Sequence, residues 1–238
     1  MGIVQTIKDL FTRSKYVMTT ESLTNITDHP KIAVSSAEYD RIRESLKYFA
    51  GKYPLIKYTD SNGTPQKRVF NHLPIARTAS KKIASLVFNE QAEIKVDDAT
   101  ADKFVQEQLY NDRFTKNFER YLESCLALGG LAMRPYIDGE QVRVSFVQAP
   151  VFLPLQSNTQ DVSSAAIVTK TTKGQGKKVI YYTLIELHEW AKDGKYTVSN
   201  ELYRSDNQNI VGQRVPLSEV YEDLEESVEL HGLSCPLF

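Results

Sequence analysis

The chain has 238 residues, of which 41% are hydrophobic and 25% are charged, a composition typical of a globular protein. A chain of this length accommodates one large or two small domains with a sizeable buried core. No apolar run approaches the roughly 20 residues that a membrane-spanning helix needs, and residues 1–16 lack the apolar block of a signal peptide.

The net charge of −1 hides an uneven distribution of charged residues along the chain. Residues 1–89 carry 14 Lys and Arg against 7 Asp and Glu, a net charge of +7, whereas residues 90–238 carry 15 against 23, a net charge of −8. A basic half is compatible with binding to nucleic acid or to an acidic protein surface. Because the basic residues look scattered, we favour the simpler interpretation, in which they form the solvated faces of amphipathic helices.

The first fifty residues predict two helices separated by a loop. Residues 1–16 suit an amphipathic helix, although the first six residues also match the N-myristoylation pattern. Residues 20–34 predict a loop with one helical turn. Ser35 and Glu38 predict a capping box that begins a helix, which ends at Gly51. The apolar face of this helix comprises Tyr39, Ile42, Leu46 and Phe49.

A hairpin, a further helix and a short strand follow. Residues 55–59 and 66–70 predict two strands joined by a Ser-Asn-Gly turn. Pro74 suits the first turn of the next helix, and residues 92–96 predict a short strand. The apolar face of that helix comprises Ile75, Ala79, Ile83, Leu86 and Val87.

The clearest local pattern is that of a helix and a hairpin in residues 113–147. Gly129 and Gly130 end the helix because glycine adopts the left-handed cap conformation without a steric clash. Alternating residues then predict two strands around a tight turn at Asp138-Gly139. The helix carries one apolar stripe, formed by Phe114, Phe118, Tyr121, Leu122, Cys125 and Leu126.

After residue 147 the pattern becomes β-rich. Residues 162–172, 178–190 and 195–203 predict strands separated by glycine-containing turns, which suits a small antiparallel sheet or a partial barrel. Residues 218–230 are acidic and predict either a helix or an irregular segment. The last apolar residues predict an untethered tail of a chain that continues further; they are Leu233, Pro236, Leu237 and Phe238.

Together these elements predict an α+β fold, with a helical N-terminal part and short hairpins followed by the small antiparallel sheet or partial barrel. The sign of the charge changes near residue 90, and helix gives way to sheet near residue 148. We place the division at the first of these points. A basic helical region with a hairpin then covers residues 1–90, and an α+β region with an acidic C-terminal segment covers residues 91–238.

The sequence contains none of the motifs that would indicate a catalytic, cofactor or metal site. HExxH, GxxxxGK[ST] and GxSxG are all absent, and the four histidines and two cysteines show no ligand spacing. Asp97 and Asp98 could bind a metal, but one of them more plausibly caps a helix that reaches about Tyr110. We therefore predict no catalytic residue, no cofactor-binding residue, no metal ligand and no bound cofactor.

The remaining chemically notable residues have structural interpretations. Cys125 is expected to be buried on a helix and Cys235 to lie in the C-terminal tail, so we predict that they are not bonded, as in a reducing compartment. Four acidic residues are expected to form a solvated face rather than a cation site: Glu222, Asp223, Glu225 and Glu226.

Several stretches of residues 20–165, in this order, are similar to one protein family. They are TDHPKI at 27–32, AEYDRI at 37–42, YFAGKYP at 48–54, IASLVFNE at 83–90, RFTKNFERYLE at 113–123 followed by ALGGLAMRPY at 127–136, and QAPVFLPLQSNTQD at 148–161. In these stretches the chain resembles the portal proteins of tailed double-stranded DNA bacteriophages. The type is that of temperate phages of Gram-positive bacteria, often labelled minor structural protein.

The resemblance implies a structural, non-enzymatic subunit of a ring of identical copies at one capsid vertex of the virion, assembled in the bacterial cytoplasm. It implies partners for the full-length subunit: other portal subunits, terminase, capsid and head–tail connector proteins, and the double-stranded DNA that passes during packaging and ejection, with no membrane. It also implies that this chain is the N-terminal, wing-like part of such a subunit, so direct DNA contact by it is not expected.

Two interpretations from other classes stay open on the residues alone. A nucleic-acid-binding module would use the basic N-terminal half and would show steep salt dependence. A small enzyme with an unrecognised site would show a deep pocket with converging polar groups.

Overall fold

The computed structural model describes residues 22–69, 72–89, 93–139, 141–158, 161–176 and 178–238. The predicted N-terminal helix and the N-myristoylation pattern lie outside these residues. Within them the fold is α+β, as predicted, with four helices and a curled antiparallel half-barrel sheet. Among the helices that the structure describes, none combines the length and the apolar composition needed to cross a membrane.

Most of the predicted helices and strands in the described residues have bounds close to those predicted. In chain order they are β1 (Ser22–Leu23), α1 (Ser36–Phe49), β2 (Leu55–Thr59), β3 (Pro65–Val69), α2 (Ile75–Asn89), α3 (Ala99–Asn111), α4 (Phe114–Leu128), β4 (Leu131–Asp138), β5 (Gln141–Gln148), β6 (Phe152–Ser157), β7 (Val162–Gln175), β8 (Lys178–Trp190), β9 (Tyr196–Ser205), β10 (Gly212–Val215) and β11 (Ser227–Leu230). Strands β1, β6, β10 and β11 were not predicted. Short 3-10 turns lie at Ile26–Asp28, Ala149–Val151 and Leu217–Glu219.

Packing divides the chain into two compact units. The sheet unit consists of the described residues up to Ala33 together with Pro154–Ser234, and the helical unit consists of Val34–Leu153 and Cys235–Phe238. The sequence-based division at residue 90, which rests on charge, stays a prediction.

The sheet unit is built on one antiparallel sheet with the strand order β1-β10-β9-β8-β7-β6. Strands β7 and β8 form a long hairpin, with Ser164 opposite Glu189 at one end and Gln175 opposite Lys178 at the other. One edge of β9 pairs with β8. The other edge pairs with two strands, β11 along its first half and β10 along its second half. One core cluster of the sheet consists of Ile180, Tyr182, Leu184, Leu202 and Leu217.

The helical unit contains the predicted helix and hairpin as α4, β4 and β5. Gly129 ends α4 with φ +83°, and Gly139 lies in the turn between the strands with φ +62°, so both glycines adopt the expected left-handed conformation. Four aromatic rings connect the helix to the hairpin at centroid distances of 4.9 to 6.2 Å; they are Phe114, Phe118, Tyr121 and Phe146.

The predicted stripe of α4 is partly wrong in its C-terminal half. Leu126 is 43% exposed and Cys125 is only half-buried, whereas Ser124 and Leu128 are buried. Ser124 is accommodated there because its hydroxyl donates to the backbone oxygen of Tyr121. Both cysteines are free thiols, as predicted, and burial raises the pKa of Cys125.

The face of α1 is as predicted, but its capping box does not form. Tyr39 is buried and donates through its hydroxyl to the backbone oxygen of Phe152 at 2.6 Å, and burial raises its pKa to about 12. Ser35 does occupy the cap position, yet within the described segment its side chain makes no capping hydrogen bond with the first turn. Ser35 is therefore the last residue with extended backbone before α1, and its hydroxyl accepts no hydrogen bond from a backbone N–H of the first turn.

Two further predictions were wrong or only partly right. Residues 93–96 form no strand, because side chains of α3 bind their backbone: Asp102 accepts from Val96 N, and Gln106 donates to Ile94 O. Residues 218–230, predicted to be either a helix or an irregular acidic segment, are largely irregular. They end in strand β11, which was not predicted.

The C-terminal residues are not an untethered tail. Trp190 donates through Nε1 to the backbone oxygen of Leu233 at 3.0 Å within the sheet unit. Within the helical unit, the ring of Phe238 packs on that of Phe152 at a centroid distance of 5.5 Å. Aromatic packing and a backbone hydrogen bond therefore hold a segment whose apolar composition had suggested disorder.

Candidate functional site

The two units differ sharply in how much apolar surface they leave exposed. Among the described residues, 16 of the 21 buried hydrophobic side chains belong to the sheet unit, but 19 of the 22 exposed large hydrophobic side chains belong to the helical unit. Single exposed hydrophobic residues are ordinary, whereas a contiguous apolar surface marks a site of interaction. In the described residues, exposed apolar surface is therefore concentrated in the helical unit.

Helix α2 presents four of these exposed side chains along one predicted face. Its predicted apolar face, Ile75, Ala79, Ile83, Leu86 and Val87, which we call the apolar stripe, is exposed rather than buried. Its four large side chains are 47% to 69% exposed. The apolar face that the periodicity predicts is therefore present, but the described residues of the chain leave it uncovered.

The apolar stripe stays exposed because α2 packs against α4 through small residues instead. Ser80 and Ala84 lie one turn apart on α2 and are 6% and 3% exposed, respectively. Small side chains let two helices approach closely, so this narrow stripe is the one that the fold covers. Arg77 adds an ion pair to Glu123 of α4 at 3.9 Å. The more hydrophobic stripe adjoins this small-residue face, since Ile83 and Val87 follow Ser80 and Ala84 by three residues, and the described residues leave it exposed.

The basic residues are concentrated in the segment that includes α2, contrary to the expectation that they are scattered along the N-terminal half. Residues 45–89 contain eight Lys and Arg and only one acidic residue, Asp60, which accounts for the whole surplus of +7 in the first 89 residues. Two of the eight, Lys47 and Arg77, form ion pairs with glutamates. The other six have no ion pair within the described residues: Lys52, Lys57, Lys67, Arg68, Lys81 and Lys82.

The sheet unit contains a polar network that sequence reasoning missed. Glu201 on β9 accepts hydrogen bonds from His29 Nε2 at 2.9 Å and from the hydroxyl of Tyr203 at 2.8 Å, and Arg214 lies 3.6 Å away. These partners, His29 first, lower the pKa of Glu201 to about 2. Because all four residues lie inside a sheet and its N-terminal loop, the network ties residues near position 29 to the sheet.

One open groove of about 720 Å³ lies in the sheet unit, but its charged side chains are already paired. Lys31 contacts Glu189 at 3.2 Å, and Lys195 contacts Glu229 at 2.8 Å. Trp190 lines the groove beside them. The groove therefore does not show the set of converging polar groups that would favour an enzyme.

The residues considered as possible metal ligands have other roles or stand apart. Asp98 caps α3 and accepts from the backbone N–H groups of Thr100 and Ala101 at 3.0 and 2.8 Å. In the part of the chain that the structure describes, no group of three or more His, Cys, Asp or Glu side chains is placed to hold a metal ion.

A protein-family model matches most of the chain. The family model described as phage portal protein, SPP1 Gp6-like, matches residues 28–232 and thus runs through both units. A search of curated proteins finds no match for the chain.

Proposed function

We propose, because the chain belongs to the SPP1 Gp6-like family of phage portal proteins, that it forms part of the portal ring at a capsid vertex of the virion. The role of this family is structural rather than enzymatic, in agreement with the resemblance noted in the sequence. The ring is closed by head-to-tail contacts between identical copies, so each copy needs two different surfaces, one for each neighbour.

The further roles follow from the same premise. The ring passes double-stranded DNA during packaging and ejection, and it contacts terminase, capsid and head–tail connector proteins. Assembly takes place in the bacterial host cytoplasm. The chain supplies the wing-like part of the subunit.

The observation that supports a role in subunit contacts is the exposed apolar stripe of α2. Burying an Ile or Leu side chain fully is worth about 1.5–3 kcal/mol, so covering four side chains that are about half exposed is worth roughly 1 kcal/mol each. A neighbouring subunit that covers the stripe would therefore gain about 4 kcal/mol from these residues alone. We propose that the stripe is one of the two ring contacts.

The proposal is tested with polar substitutions that leave the fold intact. Ile83→Gln with Leu86→Gln changes two exposed stripe residues and keeps the helical propensity of α2. Val179→Gln with Ile210→Gln is the control, because these residues are 48% and 38% exposed but lie in the sheet unit. Native mass spectrometry and electron microscopy of the purified protein follow association as its concentration rises.

We expect the parent and the control variant to associate and the stripe variant to remain monomeric. Rings in the electron micrographs of the parent would support the portal role itself. A parent that stays monomeric at every concentration would contradict the proposed subunit contact, as would equal losses in the two variants.

A further inference from the structure

The hairpin of β2 and β3 stands out as a ribbon that is open to solvent. Its strands pair from Leu55 opposite Val69 to Thr59 opposite Pro65, and nearly every residue in them is exposed. At its base, the ring of Tyr53 stacks on His72.

The one carboxylate in the turn of the ribbon accepts hydrogen bonds from neighbouring residues of the same hairpin. Asp60 accepts hydrogen bonds from the backbone N–H groups of Thr64 at 2.8 Å and Asn62 at 2.9 Å, and from the side chain of Gln66 at 3.2 Å. These bonds, that of Thr64 first, lower the pKa of Asp60. The carboxylate therefore holds the turn and leaves the cations of the strands without an acidic partner.

Two of those cations lie directly opposite each other. Lys57 on β2 pairs with Lys67 on β3, so both side chains are on the same face of the ribbon. Like charges at directly opposed positions destabilise a strand pair, and a hairpin of only two strands is marginally stable in water. A local arrangement that costs stability is typical of a functional site. An anionic group placed between the two ammonium groups would turn their repulsion into attraction.

The opposite face of the ribbon is basic as well. Arg68 alternates with Lys67 and lies over the ring of Tyr58, with its guanidinium carbon 5.6 Å from the ring centroid. A ribbon with cations on both faces suits a site between two rows of phosphates, as in a groove of a duplex. The major groove, about 12 Å wide, admits a two-stranded ribbon.

A single-stranded nucleic acid fits these observations less well. Its binding sites combine a basic groove with aromatic rings on which successive bases stack. Tyr58 is the one aromatic residue in the segment from Leu55 to Val69, and Arg68 already covers it. The ribbon thus offers charge without a stacking platform.

We propose that the β2–β3 ribbon binds the phosphate backbone of double-stranded DNA through Lys57, Lys67 and Arg68. The other unpaired cations of residues 45–89 raise the positive potential around it and speed encounter with the duplex. This binding is a property of the single chain and does not depend on ring assembly. It also reverses the expectation that this part of a portal subunit makes no direct DNA contact.

The test measures binding of a fluorescently labelled DNA duplex of random sequence by anisotropy at several salt concentrations. Lys57→Gln with Lys67→Gln removes the opposed pair. Lys103→Gln with Lys116→Gln is the matched control, because it removes two exposed lysines from the helices of the same unit.

We expect the logarithm of the parent's affinity to fall linearly with the logarithm of the salt concentration. Loss of two phosphate contacts should make this slope shallower by about 1.8 and weaken binding at about 0.1 M salt by tenfold or more. The control should change both quantities much less. Lys57→Arg with Lys67→Arg keeps the charges and should keep the slope.

The ribbon variant should be folded, because it removes a repulsion between exposed side chains, and a thermal melt checks this. Arg68→Gln is a second variant that leaves the lysine pair intact and should lower the slope by about 0.9. The proposal is overturned if the parent fails to bind the duplex at about 50 mM salt, if the control loses as much affinity as the ribbon variant, or if a single strand of equal length binds more tightly.

Discussion

Glu201→Gln should remove a large part of the stability of the sheet unit at neutral pH. Glu201 is 14% exposed and accepts hydrogen bonds from His29 Nε2 and from the hydroxyl of Tyr203. His29 Nδ1 already accepts the backbone N–H of Lys31, so Nε2 carries the proton that is donated to Glu201. Glutamine has nearly the same shape but only one acceptor oxygen. Either these two donors or Arg214 would therefore face its NH₂ group.

The magnitude follows from the pKa of Glu201. The hydrogen bond from His29 is the largest cause that lowers this pKa from the ordinary 4.5 to about 2. A difference of this size corresponds to about 3 kcal/mol of stability at neutral pH. Because the pKa is lower in the folded chain, the contribution is complete above about pH 4.5 and is lost as the pH falls towards 2. At pH 3 about 1 kcal/mol of it remains.

Urea denaturation at pH 6 and pH 3, followed by circular dichroism, measures this difference. Glu189→Gln is the control, because Glu189 forms an ion pair with Lys31 in which both side chains are about half exposed. Such a pair contributes about 0–1 kcal/mol, so the control should lose little stability at either pH. Glu201→Gln should lose about 3 kcal/mol at pH 6 and much less at pH 3. The argument fails if its loss is the same at both pH values, or no larger than that of the control.

Two further predictions concern packing. Gly212→Ala should separate β10 from β9 and cost about 3–5 kcal/mol, because a Cβ atom there, at φ +98°, would overlap the carbonyl oxygen of Arg204. Gly63→Ala, at φ +79° with open space around it, should cost only about 1 kcal/mol, and equal losses in urea melts would contradict the steric argument. Phe118→Ala should cost about 2–3 kcal/mol in the same assay, because Phe118 is half-buried and stacks on Phe146; a loss below about 1 kcal/mol would show that the ring cluster contributes little.

Much of the local structure could be predicted because its causes lie within a few residues. Glycines at positions 129 and 139 adopt positive φ where a helix cap and a tight turn need it. Asp98 caps α3, and glycine-containing turns separate β7, β8 and β9 as predicted. Residues 93–96 show the limit of this reasoning, since side chains of α3 occupy backbone groups that a strand would need.

The candidate site could be predicted only in part. Periodicity identified the apolar stripe of α2 correctly, yet it could not show that Ser80 and Ala84 are the residues that pack on α4. The total charge of the first 89 residues follows from counting, but the opposition of Lys57 and Lys67 depends on the register of a hairpin. The network around Glu201 joins residues 172 positions apart, and no local pattern signals it.

The sequence by itself determined the helices and most of the long strands, the faces that are apolar and the family that the chain resembles. Only the tertiary structure decided which apolar face is covered and which charges meet. The physical reason is that backbone propensity and side-chain period act over a few residues. Burial and ion pairing depend on partners from distant parts of the chain, and for the stripe of α2 the described residues of the chain provide no such partner.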